Sequence, residues 1–264
     1  MPRLAANLST LFRELPFRER FGAAAAAGFR YVEYQFPYAE GSAADVAAWA
    51  RAAGLQVVLH NLPPGDLDRG DRGLACLAGR EAEFRDGVER AIDYARAACC
   101  PRLNCLVGVA PPDVPPTAVL ATLVANLRHA ADRLAAAGLT LLIEPLNVRS
   151  TPGYLLTRSA EALEVIRAVD RPNLRLQYDL FHMQISEGDL FTTLHRILPD
   201  VGHVQIAGVP ERAEPDVGEV NFPWLLGQLD ALGYEGWVGC EYTPRAQTLA
   251  GLGWARRWLQ GEGR

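Results

Sequence analysis

Leu139-Thr140-Leu141-Leu142-Ile143-Glu144-Pro145 is the stretch from which the rest of the chain can be read. Five apolar or β-branched residues follow Gly138 without a break, the pattern of a strand buried on both faces. The run ends in a carboxylate, and the proline after it cannot continue a hydrogen-bonded ladder. An ionised Glu at the mouth of a buried strand is costly unless a metal or a partner holds it. One strand emerging into water would look the same, but three later strands end in a similar way.

Working outward, strand-like and helix-like segments alternate from end to end. Strands are expected to begin at residues 4, 31, 55, 103, 139, 174, 203 and 237, a period of roughly 30 to 40 that suits successive βα units. Between them lie helical patterns with recognisable ends. Pro16 suits a first turn and Gly28 a helix end, while Ser42-Ala43-Ala44-Asp45 resembles a capping box. A last helix is expected over about Ala246 to Gln260. Residues 62–78 hold two prolines and three glycines without periodicity, a loop long enough to serve as a lid. No linker-like shift in composition divides residues 1–264. Eight such units in about 250 residues predict a single-domain α/β protein, a (β/α)₈ TIM barrel. The open doubly wound sheet is second, because no GxGxxG follows the first strand.

Composition narrows the function. All 26 basic residues are Arg, and without a single Lys neither Schiff-base aldolase chemistry nor a Walker phosphate loop is possible. The net charge of −5 and the lack of a strong basic run argue against nucleic acid as a ligand. No apolar run of about 18 residues indicates a membrane span, and Met1 to Asn7 lacks a signal-peptide core, so a cytoplasmic protein is expected. The five cysteines have no zinc-like spacing, and Cys105 and Cys240 read as small core residues.

In such a barrel the active site lies at the C-terminal ends of the strands. Glu33, His60, Glu144, Asp179, Gln205 and Glu241 are the candidates there. Glu144, Asp179, Gln205 and Glu241 would converge from four neighbouring strands. Three carboxylates cannot all stay ionised in a small dry site unless a cation lies among them. Carboxylate and amide oxygens form a hard donor set, suited to Mg²⁺ or Mn²⁺ more than Zn²⁺.

The motifs Ala6-Asn7-Leu8-Ser9, Val32-Glu33-Tyr34-Gln35-Phe36-Pro37-Tyr38, Leu59-His60-Asn61-Leu62-Pro63, Asn104-Cys105-Leu106-Val107-Gly108, Ile143-Glu144-Pro145, Tyr178-Asp179-Leu180-Phe181-His182-Met183-Gln184, His203-Val204-Gln205-Ile206-Ala207 and Gly239-Cys240-Glu241-Tyr242 occur in this order across nearly the whole chain. The set resembles the hydroxypyruvate isomerase family, within the xylose-isomerase-like TIM barrels. That resemblance implies interconversion of hydroxypyruvate and tartronate semialdehyde, with isomerisation of 2-oxo-tetronate as a sister activity. It places metal ligation on Glu144, Asp179, Gln205 and Glu241, and proton transfer on Glu144 and Glu241. Moving a carbonyl between adjacent carbons proceeds through an enediolate, which a divalent metal stabilises while carboxylates remove and return the proton.

Supporting roles are expected for three further residues. His182, placed on a loop after Asp179, and His60 are candidate donors to the substrate. Arg212 is a candidate clamp for its carboxylate. Glu33 reads equally well as a buried hydrogen-bonded residue, and His203 as a residue of the opposite, structural end of the barrel. The expected partner is a short hydroxy-oxo acid, and a homodimer is compatible with the sequence. Ketose 3-epimerase activity is the alternative, although sugar epimerases of the wider group place a histidine where Gln205 stands. An AP endonuclease-like nuclease would need more histidines and a basic groove, and a sugar-binding barrel would not need the carboxylates.

Overall fold

The apolar runs pair side by side in chain order, all parallel, and the last closes on the first. In the computed structural model, which describes residues 2–259, the strands are β1 (Arg3–Asn7), β2 (Tyr31–Tyr34), β3 (Gln56–Asn61), β4 (Arg102–Cys105), β5 (Thr140–Ile143), β6 (Leu174–Asp179), β7 (Val201–Ile206) and β8 (Trp237–Cys240). The helices between them are α1 (Phe17–Ala26), α2 (Ala43–Ala52), α3 (Glu81–Ala98), α4 (Pro116–Ala136), α5 (Ser159–Val169), α6 (Leu180–Ser186), α7 (Leu190–Ile197) and α8 (Phe222–Ala231). This is the single-domain (β/α)₈ barrel expected. No helix among the described residues is long and apolar enough to cross a membrane.

Local chemistry explains the element boundaries. Ser42 caps α2 through a reciprocal pair with Asp45, each side chain meeting the other's backbone N–H. Gly138 takes φ +71 to turn α4 into β5, a conformation that glycine enters without strain. Two expectations change. The segment after Asp179 is a helix, α6, because the Asp179 carboxylate accepts the Phe181 N–H at 2.8 Å and caps it. The last helix is broken into α9 (Thr248–Gly251), a 3₁₀ turn Leu252–Ala255 and α10 (Arg256–Leu259). Gly251 and Gly253 weaken a continuous helix there, and the expected end at Gln260 lies outside the described residues.

The apolar core lies mainly between the sheet and its helices, while the barrel interior is largely polar. Residues two apart on a strand face the same way. Inward-facing positions therefore include Asn7 on β1, Glu33 on β2, Asn104 on β4, Gln177 on β6, and His203 and Gln205 on β7, tied together by the hydrogen bonds described below. At the opposite end Arg102 reaches across to the Gly202 carbonyl at 2.9 Å and lies 4.4 Å from the Trp237 ring, closing the barrel floor. Gly239 leaves the space that Glu33 fills, since a Cβ at that position would collide with the Glu33 carboxylate. Gly239→Ala is therefore expected to destabilise the fold by about 1–3 kcal/mol or more, as overpacking does. Urea unfolding measures it, and an unchanged midpoint would contradict the packing described.

Candidate active site

A cavity of about 330 Å³ opens at the C-terminal ends of the strands. Glu144, His182, Gln205, Arg212 and Glu241 line it, and Leu67 and Arg72 from the long 62–78 loop cover one side. Asp179 is fully buried beside them. Glu144 and Glu241 each follow directly on the last residue of their strands, so the closing of the sheet aims both at the same space.

The carboxylates are held by different partners. Glu144 Oε2 accepts the side-chain amides of Asn104 at 3.0 Å and Gln177 at 2.9 Å. Its other oxygen accepts no hydrogen bond from either. Glu241 Oε1 accepts the Gln35 amide, and its Oε2 lies 3.4 Å from Arg212 Nη2. The same guanidinium nitrogen is 3.4 Å from Asp179 Oδ2, while the guanidinium carbon lies 4.9 Å from the centre of the Phe181 ring. Arg212 itself has φ +57, in the left-handed region that a side chain enters at some cost.

Electrostatically, the site holds too much negative charge. Burial, with Glu241 and Asp179 added, raises the pKa of Glu144 well above the usual carboxylate range. Burial also raises Asp179, which Arg212 opposes, and pushes Glu241 up to about 7. One guanidinium does not neutralise three buried carboxylates, and a divalent cation would. Ligand atoms of Glu144, Asp179 and His182 lie within 4.8 Å of one another, a group able to hold a metal ion. Glu144 and Asp179, with His182 beside them, therefore fit a divalent metal.

His182 fits that group less well than the oxygens do. Its Nδ1 accepts the backbone N–H of Asn147 at 3.1 Å, and an N–H can only donate. The ring proton is then on Nε2, which lies 3.6 Å from Asp179 Oδ2. Burial and the nearby Arg212 hold its pKa well below the usual histidine value, so the ring stays neutral. His182 is thus a hydrogen-bond donor at the cavity wall, on helix α6 and not on a loop.

Among the sequence candidates, the structure brings together Glu144, Asp179, His182, Gln205, Arg212 and Glu241. Glu241 joins the cluster across Arg212, and Gln205 joins it through Gln177 Nε2, which donates to Gln205 Oε1 at 2.7 Å. His60 does not reach the cavity. Its neighbours Leu59 and Asn61 do, because alternate residues face opposite ways, and the His60 ring stacks on Tyr34 at 5.8 Å outside the barrel. Glu33 and His203 are fully buried within the barrel, 2.7 Å apart. His203 is the third residue of β7 and points inward, not part of a solvent-facing lower rim. Gln177, Asn104, Gln35 and Asn147 were not foreseen. Stepping back two residues from Asp179 reaches Gln177, so strand alternation could have found that one.

Burial pushes the pKa of His60 from 6.5 down to about 4. Because the folded value is the lower one, the unfolded chain takes up a proton first as pH falls through 6.5. Stability is therefore lost as pH falls through this window, at about 1.4 kcal/mol per pH unit. Between pH 7 and 4.5, a His60→Phe variant is expected to lose about 2–3 kcal/mol less stability than the parent. Equal pH slopes for the two proteins would contradict a neutral buried His60.

A family model described as xylose isomerase-like TIM barrel matches residues 21–260. The chain belongs to that family. A 2-oxo-tetronate isomerase of Cupriavidus necator is 50% identical over 98% of this chain and 99% of its own. A hydroxypyruvate isomerase of Escherichia coli is 47% identical over 96% of this chain and 98% of its own. A crystal structure described as an AP endonuclease, family 2, from Brucella melitensis has a TM-score of 0.95 at 47% identity, covering 98% of this chain and 99% of that one. Members of this family thus carry different names on one backbone, and the site residues must decide between them.

Proposed function

We propose that the protein is an aldose–ketose isomerase that interconverts hydroxypyruvate and tartronate semialdehyde. The observation that carries this reading is the pairing of Glu144 and Glu241, two buried carboxylates from β5 and β8 at one cavity, with Arg212 beside them. The relatives named hydroxypyruvate isomerase and 2-oxo-tetronate isomerase support it.

The reaction removes a proton from C3 of hydroxypyruvate, next to the C2 carbonyl, and returns one at C2, while the hydroxyl proton passes from O3 to O2. One carboxylate takes the carbon-bound proton and the other delivers it. Glu144 suits a base because Asn104 and Gln177 hold Oε2, leaving Oε1 to face substrate. The Nε2–H of His182 is placed to donate to a substrate oxygen, and the Arg212 guanidinium to hold the carboxylate. Glu144, Asp179, Gln205 and Glu241 would hold Mg²⁺ or Mn²⁺, which when bound offsets negative charge developing on the substrate oxygens.

The four-carbon 2-oxo-tetronate is the second reading, favoured by the 50% identical relative. A nuclease is disfavoured by the site itself. Of five histidines only His182 reaches the cavity, whereas a histidine-rich zinc cluster needs several. NMR of hydroxypyruvate and of 2-oxo-tetronate in D₂O, with protein and Mg²⁺, tests the proposal. Solvent deuterium in the isomerised acid is the expected result and identifies the substrate. Turnover of neither acid, with epimerisation of a neutral ketose, would overturn it.

A further inference from the structure

Glu33 lies beneath the cavity and does not line it, yet it is a fully buried carboxylate with three polar side chains against it. Its Oε1 accepts Asn7 Nδ2 at 3.0 Å and Gln205 Nε2 at 2.7 Å, and its Oε2 meets His203 Nε2 at 2.7 Å. Oε1 therefore acts as the acceptor of both amides. The missing side chain of Gly239 supplies the space, so β8, on the other side of β1 from β2, is shaped around this carboxylate.

An amide beside an acceptor-only group has one stable orientation. Gln205 must turn its nitrogen to Glu33, which leaves its oxygen, at the cavity wall, toward Gln177 Nε2 at 2.7 Å. The flipped amide would set oxygen against carboxylate and nitrogen against nitrogen. With one hydrogen committed to Gln205, Gln177 gives the other to Glu144 Oε2 at 2.9 Å. Each amide in the chain from Glu33 to Glu144 is thus oriented by the carboxylates at its two ends, Gln205 directly by Glu33 and Gln177 directly by Glu144.

We propose that Glu33, seated by His203 and Asn7, is a positioning residue that fixes the Gln205 amide with its oxygen toward the divalent cation. The inference rests on the reading of Gln205 as a metal donor, and its test separates the two. Groups behind a metal ligand alter affinity by about 10–100-fold when changed.

The experiment measures Mn²⁺ affinity by calorimetry on metal-stripped parent, Glu33→Gln, Gln205→Ala and Glu33→Gln/Gln205→Glu, each checked for folding by circular dichroism. Glu33→Gln is expected to weaken Mn²⁺ binding about 10–100-fold. Adding Gln205→Glu is expected to recover most of that loss, because a carboxylate presents an oxygen whichever way it turns. A purely structural role for Glu33 would not be relieved by changing residue 205. Parent-like affinity in Glu33→Gln, or no recovery in the double variant, overturns the proposal. Parent-like affinity in Gln205→Ala overturns the metal-donor reading and this inference with it. Should Glu33→Gln alone not fold, the double variant decides. Affinity within about tenfold of the parent supports the proposal, and weaker binding overturns it.

Discussion

Glu144→Gln and Glu241→Gln are each expected to lower turnover by at least about 10³-fold while the protein stays folded. A glutamine at 144 keeps the shape of the side chain, and its oxygen can still accept from Asn104 and Gln177 where Oε2 does now. What it loses is the ability to take a proton from carbon. The same substitution removes one of three repelling buried charges, so the metal-free variant should be at least as stable as the metal-free parent. Loss of activity without loss of stability is therefore the signature. Glu241→Gln differs in one respect, because it also breaks the contact with Arg212, and weaker substrate binding should accompany its slower turnover. Steady-state kinetics with hydroxypyruvate, beside thermal unfolding, reads all of this. More than a few per cent of parental turnover in either variant would contradict the scheme of two proton-transfer carboxylates.

Stripping the metal with a chelator is expected to abolish turnover, and adding back Mg²⁺ or Mn²⁺ to restore it. The reason is the charge imbalance at the strand ends, where three buried carboxylates face one guanidinium. A cation that binds only the folded chain stabilises it by about 2.7 kcal/mol at one hundred times its dissociation constant. For a chain of this size that corresponds to a shift of about 5–10 °C in the unfolding midpoint. The loaded protein should therefore melt higher than the stripped one by that amount. Full activity in excess chelator, with no shift on adding metal, would contradict a cation at these residues.

The fold was legible because buried parallel strands are nearly continuous apolar runs, and their spacing in the chain is itself the topology. The Leu139–Ile143 run, with Glu144 just beyond it, fell where the sequence placed it, as did the convergence of Glu144 and Asp179. What escaped depends on one-residue facing. His60 sits one step off the inward register and packs against aromatic rings instead of substrate. His203 sits in register and holds Glu33, yet from its position near the start of the strand it looked like part of the opposite rim. Gln177 carries no charge and no motif, and Asn104 opens a motif that assigns it no partner, so only the barrel's closure shows that they meet Glu144. The helical state of His182 likewise follows from a cap whose effect is local and small.

In the proposed mechanism, oxygens from the ends of β5 to β8 gather a single cation, and His182 stands outside the ligand set as a donor. Anomalous diffraction from crystals grown with Mn²⁺ locates that cation. One peak bound by Glu144, Asp179, Gln205 and Glu241 is expected, with His182 Nε2 beyond ligand distance. A metal held by Glu144, Asp179 and His182 while Gln205 and Glu241 remain unligated, or no peak at saturating Mn²⁺, would contradict it.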